Sequence, residues 1–157
     1  LQRISQSATT LSESMQDIIW AMKTRNDHLE DIASRMTEFG LRLLEARGIR
    51  FKTHIDEHFP VKRLLPEQRR NLYLIFKEAI NNAAKYAGCT EVELIFGVVH
   101  GVLTLQIADN GQGFDPTSKE AGNGLYNMRQ RAAEIGGHLR IISAPGEGTK
   151  VEFKVKM

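Results

Sequence analysis

Apolar residues fall at Leu1, Ile4, Ala8, Leu11, Met15, Ile18 and Met22, with gaps alternating between three and four. That alternation is the a/d seam of a heptad repeat. A seam this narrow favours packing against another helix. A single amphipathic helix lying on its own domain is the alternative. The same phase resumes at Leu29, Ile32, Met36, Phe39 and Leu43. Between them, Lys23-Thr24-Arg25-Asn26-Asp27 carries no apolar residue, and Asp27 with Glu30 has the spacing of a capping box. The pattern predicts two helices, about 2–23 and 28–46, with a break between them; one continuous helix is the alternative. Gly48 suits the second helix's C-terminal end.

From Ile49 the period becomes two. Ile49, Phe51, Thr53 and Ile55 alternate with Arg50, Lys52 and His54, which predicts a half-buried strand. Pro60 and Pro66 bracket a loop, and Pro66 suits the first turn of a helix. Leu72, Ile75, Phe76, Ala79, Ile80 and Ala83 then follow helical spacing up to Gly88. Strands are expected at about 90–98 and 102–109, a helix at 124–135, and strands at 138–143 and 149–156 around Pro145-Gly146. Two helices against one largely antiparallel sheet make an α/β two-layer sandwich, here preceded by a long N-terminal helix. Regular strand–helix alternation is missing, which excludes a Rossmann unit.

Composition narrows the picture. The 157 residues allow one domain with an appendage. Lys and Arg number 21 against 19 for Asp and Glu, a net charge of +2, too balanced to imply a nucleic-acid partner. No segment approaches the ~20 apolar residues of a membrane span, so no membrane contact by this stretch is expected. The single cysteine, Cys89, excludes an internal disulfide and fits a reducing compartment. The pattern begins in mid-course at Leu1, which reads as a piece of something longer.

Three segments carry candidate chemistry. In the first, Glu78, Asn82 and Lys85 stand at i, i+4 and i+7 on one helical face. A carboxylate, an amide oxygen and an ammonium in a row offer a magnesium ligand and a phosphate contact; a plain solvated face is the alternative. The second, Asp109-Asn110-Gly111-Gln112-Gly113-Phe114, follows an apolar strand. An aspartate there can accept from an exocyclic amine, with glycines allowing close backbone approach; a tight turn is the alternative. The third, Gly122-Asn123-Gly124-Leu125, opens a helix, where free N–H groups and the dipole attract anions; a simple helix entry is the alternative.

Taken together and in this order, the three segments resemble the N, G1 and G2 boxes of the ATP-binding fold shared by gyrase, heat-shock chaperones, histidine kinases and MutL. Gly146-Glu147-Gly148-Thr149 resembles that family's last motif. The resemblance covers about 49–157. Gly124-Leu125-Tyr126-Asn127-Met128-Arg129-Gln130-Arg131 is similar to the G-L-x-x-M-R-x-R helix of sensor histidine kinases that pair with helix-turn-helix response regulators. Asp17-Ile18-Ile19-Trp20-Ala21 resembles a signature of the same group. Residues 1–26 then resemble the second helix of the dimerisation and phosphotransfer hairpin, and 27–157 the catalytic domain.

The resemblance implies these roles. Asp109 accepts from the adenine amino group, with Gly111 and Gly113 beside the base and Thr149 in support. Asn82 binds Mg2+ and Lys85 meets the phosphates of ATP. Gly122, Gly124 and Leu125 hold phosphates through backbone N–H groups, and Arg129 or Arg131 adds a contact. Glu78 orients metal-bound water or its own helix. Tyr86 borders the nucleotide where the family usually has histidine. Residues 115–123 form a lid. No histidine lies on a helix suited to accept phosphate, so the acceptor helix is expected outside this chain. The implied partners are a sister chain, as a homodimer of the full-length protein, and a response regulator receiver domain. The stretch would be a cytoplasmic portion of a membrane-anchored protein, and in isolation monomeric or weakly associated. Alternatives on the same fold are an anti-sigma-factor-type serine kinase and a degenerate module that binds without catalysis.

Overall fold

The computed structural model describes residues 2–23, 28–118 and 121–157. Helix α1 spans Gln2–Met22 and α2 spans Leu29–Glu45. Both match their predicted extents to within a residue. Asp27, the expected cap of α2, lies outside the described residues, as does the boundary expected near 26. His28 occupies the N-cap position with extended backbone. Gly48, at φ 69°, turns the chain after α2 into strand β1, Arg50–Ile55. Helix α3 is Pro66–Tyr86, with Pro66 in its first turn and the Gln68 side chain accepting the Leu65 N–H at 2.9 Å. Strands β2 (Glu91–Val99) and β3 (Val102–Asp109) form a hairpin, α4 is Gly122–Glu134, and β4 (His138–Ser143) and β5 (Thr149–Lys156) form a second hairpin.

The five strands lie in the order β1-β2-β3-β5-β4, with β1 parallel to β2 and every other pair antiparallel. Alternation in the central strands buries Val92, Leu94, Phe96, Leu103, Leu105, Ile107, Val151 and Phe153 on one face. Helix α3 supplies Leu72, Ile75, Phe76, Ala79, Ile80 and Ala83 to the same core. The two-layer α/β sandwich is the predicted one, with α2 joining α3 and α4 over the sheet. Strand β1 is its edge, and there Thr53, expected to face inward, is exposed. Its outer side is tied to β2 by Lys52–Glu91 at 3.0 Å and His54–Glu93 at 2.9 Å.

Helix α1 has two different faces. The seam residues Ile4, Leu11 and Met15 are 72%, 66% and 62% exposed. On the other side, Asp17 and Ala21 are buried and Trp20 packs on Tyr73 with ring centroids 5.8 Å apart. Asp17 bridges Arg35 of α2 at 2.7 Å and Lys77 of α3 at 2.6 Å. Arg69, only 1% exposed, donates to the carbonyls of Ala21 and Leu64, so a guanidinium closes the carbonyl end of α1. The single amphipathic alternative is therefore half right: one edge of α1 lies on its own domain while the seam stays uncovered. Among the described residues, no helix is long and apolar enough to cross a membrane.

Candidate functional site

Between α3, α4 and the open end of the sheet lies a cleft of about 890 Å³, a volume that suits a small-molecule ligand. Its floor is apolar: Ala79, Ile107, Leu125, Met128 and Val151 line it. Its polar groups come from the predicted segments. Glu78, Asn82 and Tyr86 face it from α3, Asp109 and Gly113 from the β3 exit, Gly122 and Gly124 from the start of α4, and Thr149 from the start of β5.

On α3, Ala79 and Tyr86 lie to one side of Asn82 and Glu78 to the other, and all four line the cleft. Lys85 falls within ~20° of Glu78 but about two turns further along the helix. Lys85 is exposed and is not among the cleft-lining residues. Tyr86, one full helical step beyond Asn82, takes the wall position instead.

Asp109 is half-buried at the end of β3. Its carboxylate accepts the Gly111 N–H at 2.9 Å and the backbone N–H of Thr149, its cross-strand neighbour. Burial pushes its pKa above the ordinary aspartate range, and the two N–H donors hold it back in part. Gly111 does not line the cleft. It passes so close to the Ala87 carbonyl that a Cβ there would collide with it, which lets the chain fold back under Asp109. Gln112 then ties this turn to the end of α3, donating its side-chain amide to Tyr86 O at 2.7 Å and its backbone N–H to Ala87 O at 2.8 Å. Gly113, at φ 62°, takes a left-handed conformation that lets the next residues pass against Ala144.

Helix α4 begins two residues earlier than its sequence signal suggested, so Gly122 and Gly124 lie in its first turn. A Cβ on Gly124 would strike the Glu78 carboxylate, so the glycine brings the positive end of α4 against Glu78. Arg131 is half-buried, donating to Asn71 Oδ1 of α3 at 3.3 Å, and Arg129 is exposed; neither lines the cleft. The expected lid falls partly on residues 119–120, outside the described residues. In its described part, Asp115 caps its own turn by accepting the Thr117 N–H at 2.9 Å.

Two residues to which the sequence assigns no role also contribute. Phe114 lines the cleft directly after Gly113. Ser143 sits behind Thr149 and bonds to Phe114, Gly148 and Thr149. The hairpin register would have located it, since Ser143 pairs with Thr149 across the Pro145-Gly146 turn.

Residues 67–157, more than half of the chain, match the histidine kinase-, DNA gyrase B- and HSP90-like ATPases. The chain belongs to that family. Within it, the relatives it matches include sensor histidine kinases. The sensor histidine kinase LiaS of Bacillus subtilis (strain 168) is 38% identical over 86 residues, covering 54% of this chain and 24% of the relative. The sensor protein VraS of Staphylococcus saprophyticus is 30% identical over 161 residues, covering 98% of this chain and 46% of the relative. The chain therefore spans between a quarter and just under half of these relatives. In fold, a blue-light activated histidine kinase from Erythrobacter litoralis EL346 superposes with a TM-score of 0.74 at 18% identity, over 96% of this chain and 49% of that one.

Proposed function

We propose that this chain is the ATP-binding catalytic part of a sensor histidine kinase, passing the γ-phosphoryl group of ATP to a histidine on a helix outside it. The observation that carries this reading is one cleft bounded by a half-buried carboxylate, Asp109, at one end and a helix N-terminus at the other. Asp109 and Thr149 recognise the adenine amino group over the apolar floor. The N–H groups around Gly122, Gly124 and Leu125 receive phosphate oxygens. Lys85, at the end of α3, adds a mobile cation outside the wall. Tyr86 borders the nucleotide.

The donor set fits Mg2+. Asn82 offers an amide oxygen and Glu78 a nearby carboxylate, and no cluster of three acidic, histidine or cysteine residues occurs among the described residues. Magnesium prefers such a sparse oxygen set completed by phosphates and water. Bound there, it would neutralise phosphate charge. Asn82 would hold it, and Glu78 would orient its water shell or keep α3 and α4 in register. The protein's part in the transfer is positioning and charge stabilisation.

Helix α1 serves in this reading as half of a phosphotransfer hairpin. Its uncovered seam supports pairing in a homodimer of the longer protein, with a receiver domain as the next acceptor. Calorimetric titration with ATP, with and without Mg2+, tests the core of the reading. Micromolar-to-millimolar binding that Mg2+ strengthens, and that Asn82→Ala makes insensitive to Mg2+, is expected. Absence of ATP binding to the wild type would sink it.

A further inference from the structure

We propose that Ser143 is a positioning residue that fixes the hydroxyl of Thr149 as a hydrogen-bond acceptor toward the cleft, and thereby makes the site select a 6-amino over a 6-oxo purine. This rests on the nucleotide reading above and goes one residue beyond it.

A serine hydroxyl has one hydrogen to give and two lone pairs to receive with. Ser143 Oγ lies 2.9 Å from each of three partners. The Phe114 N–H can only donate, so Ser143 accepts there. The Gly148 carbonyl can only accept, so Ser143 spends its single hydrogen there. In the contact with Thr149 Oγ1 the hydrogen must then belong to Thr149. Gly148 is buried, so turning the serine hydrogen toward Thr149 would leave its carbonyl without this bond.

The consequence falls on the cleft. Ser143 lies outside the lining, while Thr149 belongs to it. With its hydrogen committed to Ser143, Thr149 shows only lone pairs to a ligand. Asp109, directly paired with it across β3 and β5, is an acceptor as well when ionised. The wall is thus acceptor-only, and it suits an exocyclic amine. A 6-oxo group would meet lone pairs on both sides and leave buried acceptors unpaired. Without Ser143, the Thr149 hydroxyl is released to rotate and donate, which relieves the 6-oxo base.

The test is calorimetric titration of the intact chain with ATP and with inosine triphosphate at fixed Mg2+. The variants are Ser143→Ala, Ser143→Thr, Thr149→Val and the Ser143→Ala/Thr149→Val pair. Ser143→Ala should lower the ATP-to-inosine-triphosphate affinity ratio about tenfold, the worth of one hydrogen bond. Ser143→Thr, which keeps the hydroxyl, should restore the ratio. On the Thr149→Val background, Ser143→Ala should leave the ratio where Thr149→Val alone puts it, although the lost bond to Phe114 still lowers thermal stability. Should the alanine variant fail to fold, Ser143→Cys keeps the volume but holds a hydroxyl poorly, and carries the same expectation. A ratio unmoved by Ser143→Ala, or moved equally with and without the Thr149 hydroxyl, overturns the inference while leaving the nucleotide reading intact. A wild type that binds neither nucleotide overturns both.

Discussion

Helix α3 carries two polar clusters one turn apart, and they are put to opposite uses. Near its middle, Lys77 and Tyr73 meet Asp17, Arg35 and Trp20. There the charges are spent on each other: Asp17 takes both Arg35 and Lys77, and the Arg35 guanidinium lies 4.9 Å and 5.2 Å from the ring centres of Trp20 and Tyr73. Immediately afterwards, Glu78 and Asn82 face an open cleft whose far wall is Asp109 and Thr149. One cluster holds a helix in place and the other is shaped for a ligand. Polar burial alone does not separate them; what separates them is whether the groups point at partners or at space. A consequence is mechanical: α1 grips α3 at the residue directly before Glu78.

Removing one carboxylate from each cluster should therefore fail in different ways. The largest effect is expected at the cleft. Asp109→Asn replaces a charged acceptor by an amide that can present a donor, and ATP affinity should fall ~30- to 100-fold. Its fold should not suffer. A raised aspartate pKa means that the folded state favours the protonated form. That stabilisation is whole below the ordinary pKa and is lost as pH rises through the folded value. At neutral pH ionised Asp109 thus costs stability, and the thermal midpoint of Asp109→Asn should stay level or rise. In the wild type, ATP affinity should weaken on acidification at a higher pH than an ordinary aspartate would give. A midpoint that drops sharply would show Asp109 to be structural, like Asp17. At the docking cluster, Asp17→Ala should leave ATP affinity within threefold but cost about 2 kcal/mol, less than the roughly 3–5 kcal/mol of a fully buried broken pair, because Lys77 and Arg35 retain some solvent. Trp20 fluorescence and hydrogen exchange along α1 would report it. Unchanged exchange in α1 would remove the docking role.

The two clusters also differ in how they could be read. The cleft announces itself locally, because Asp109, Gly111, Gly113, Gly122 and Gly124 are short-range turn and helix-start signals. The period of the apolar residues gave the strands and helices in the same way. Lys85 shares a helical stripe with Glu78 and Asn82, yet only those two reach the cleft; at the end of α3 the wall is Tyr86, and Lys85 stands exposed. Ser143 needed the register of the final hairpin. The docking cluster was hardest. Arg69 beside Arg70 looks like a solvated pair, yet it is buried on main-chain carbonyls at the end of α1, far away in sequence. Its partners have no side-chain signature. Asp17 was visible within Asp17-Ile18-Ile19-Trp20-Ala21, but its two cations come from separate helices.

The finest distinction between the clusters is a titration. Tyr73 is buried against Trp20 and Phe76, and burial, with Asp17 beside it, raises its pKa from 10.0 to about 12. Arg35 and Arg42 act against the rise, but the desolvation of the phenolate is the larger effect. Here too the folded state favours the protonated form, so the stabilisation is whole below pH 10 and drains away as pH climbs toward 12. Spectrophotometric titration should show one phenol ionising late, together with loosening of α1. In Asp17→Asn the negative charge is gone while the ring stays buried, so that late phenol should titrate earlier but still above an ordinary tyrosine. Asp109→Asn, on the far side of α3's next turn, should leave it unmoved. If Asp109→Asn moved the Tyr73 titration as much as Asp17→Asn does, the two clusters would be one electrostatic unit, and the grip of α1 on α3 would have to be treated as part of the ATP site.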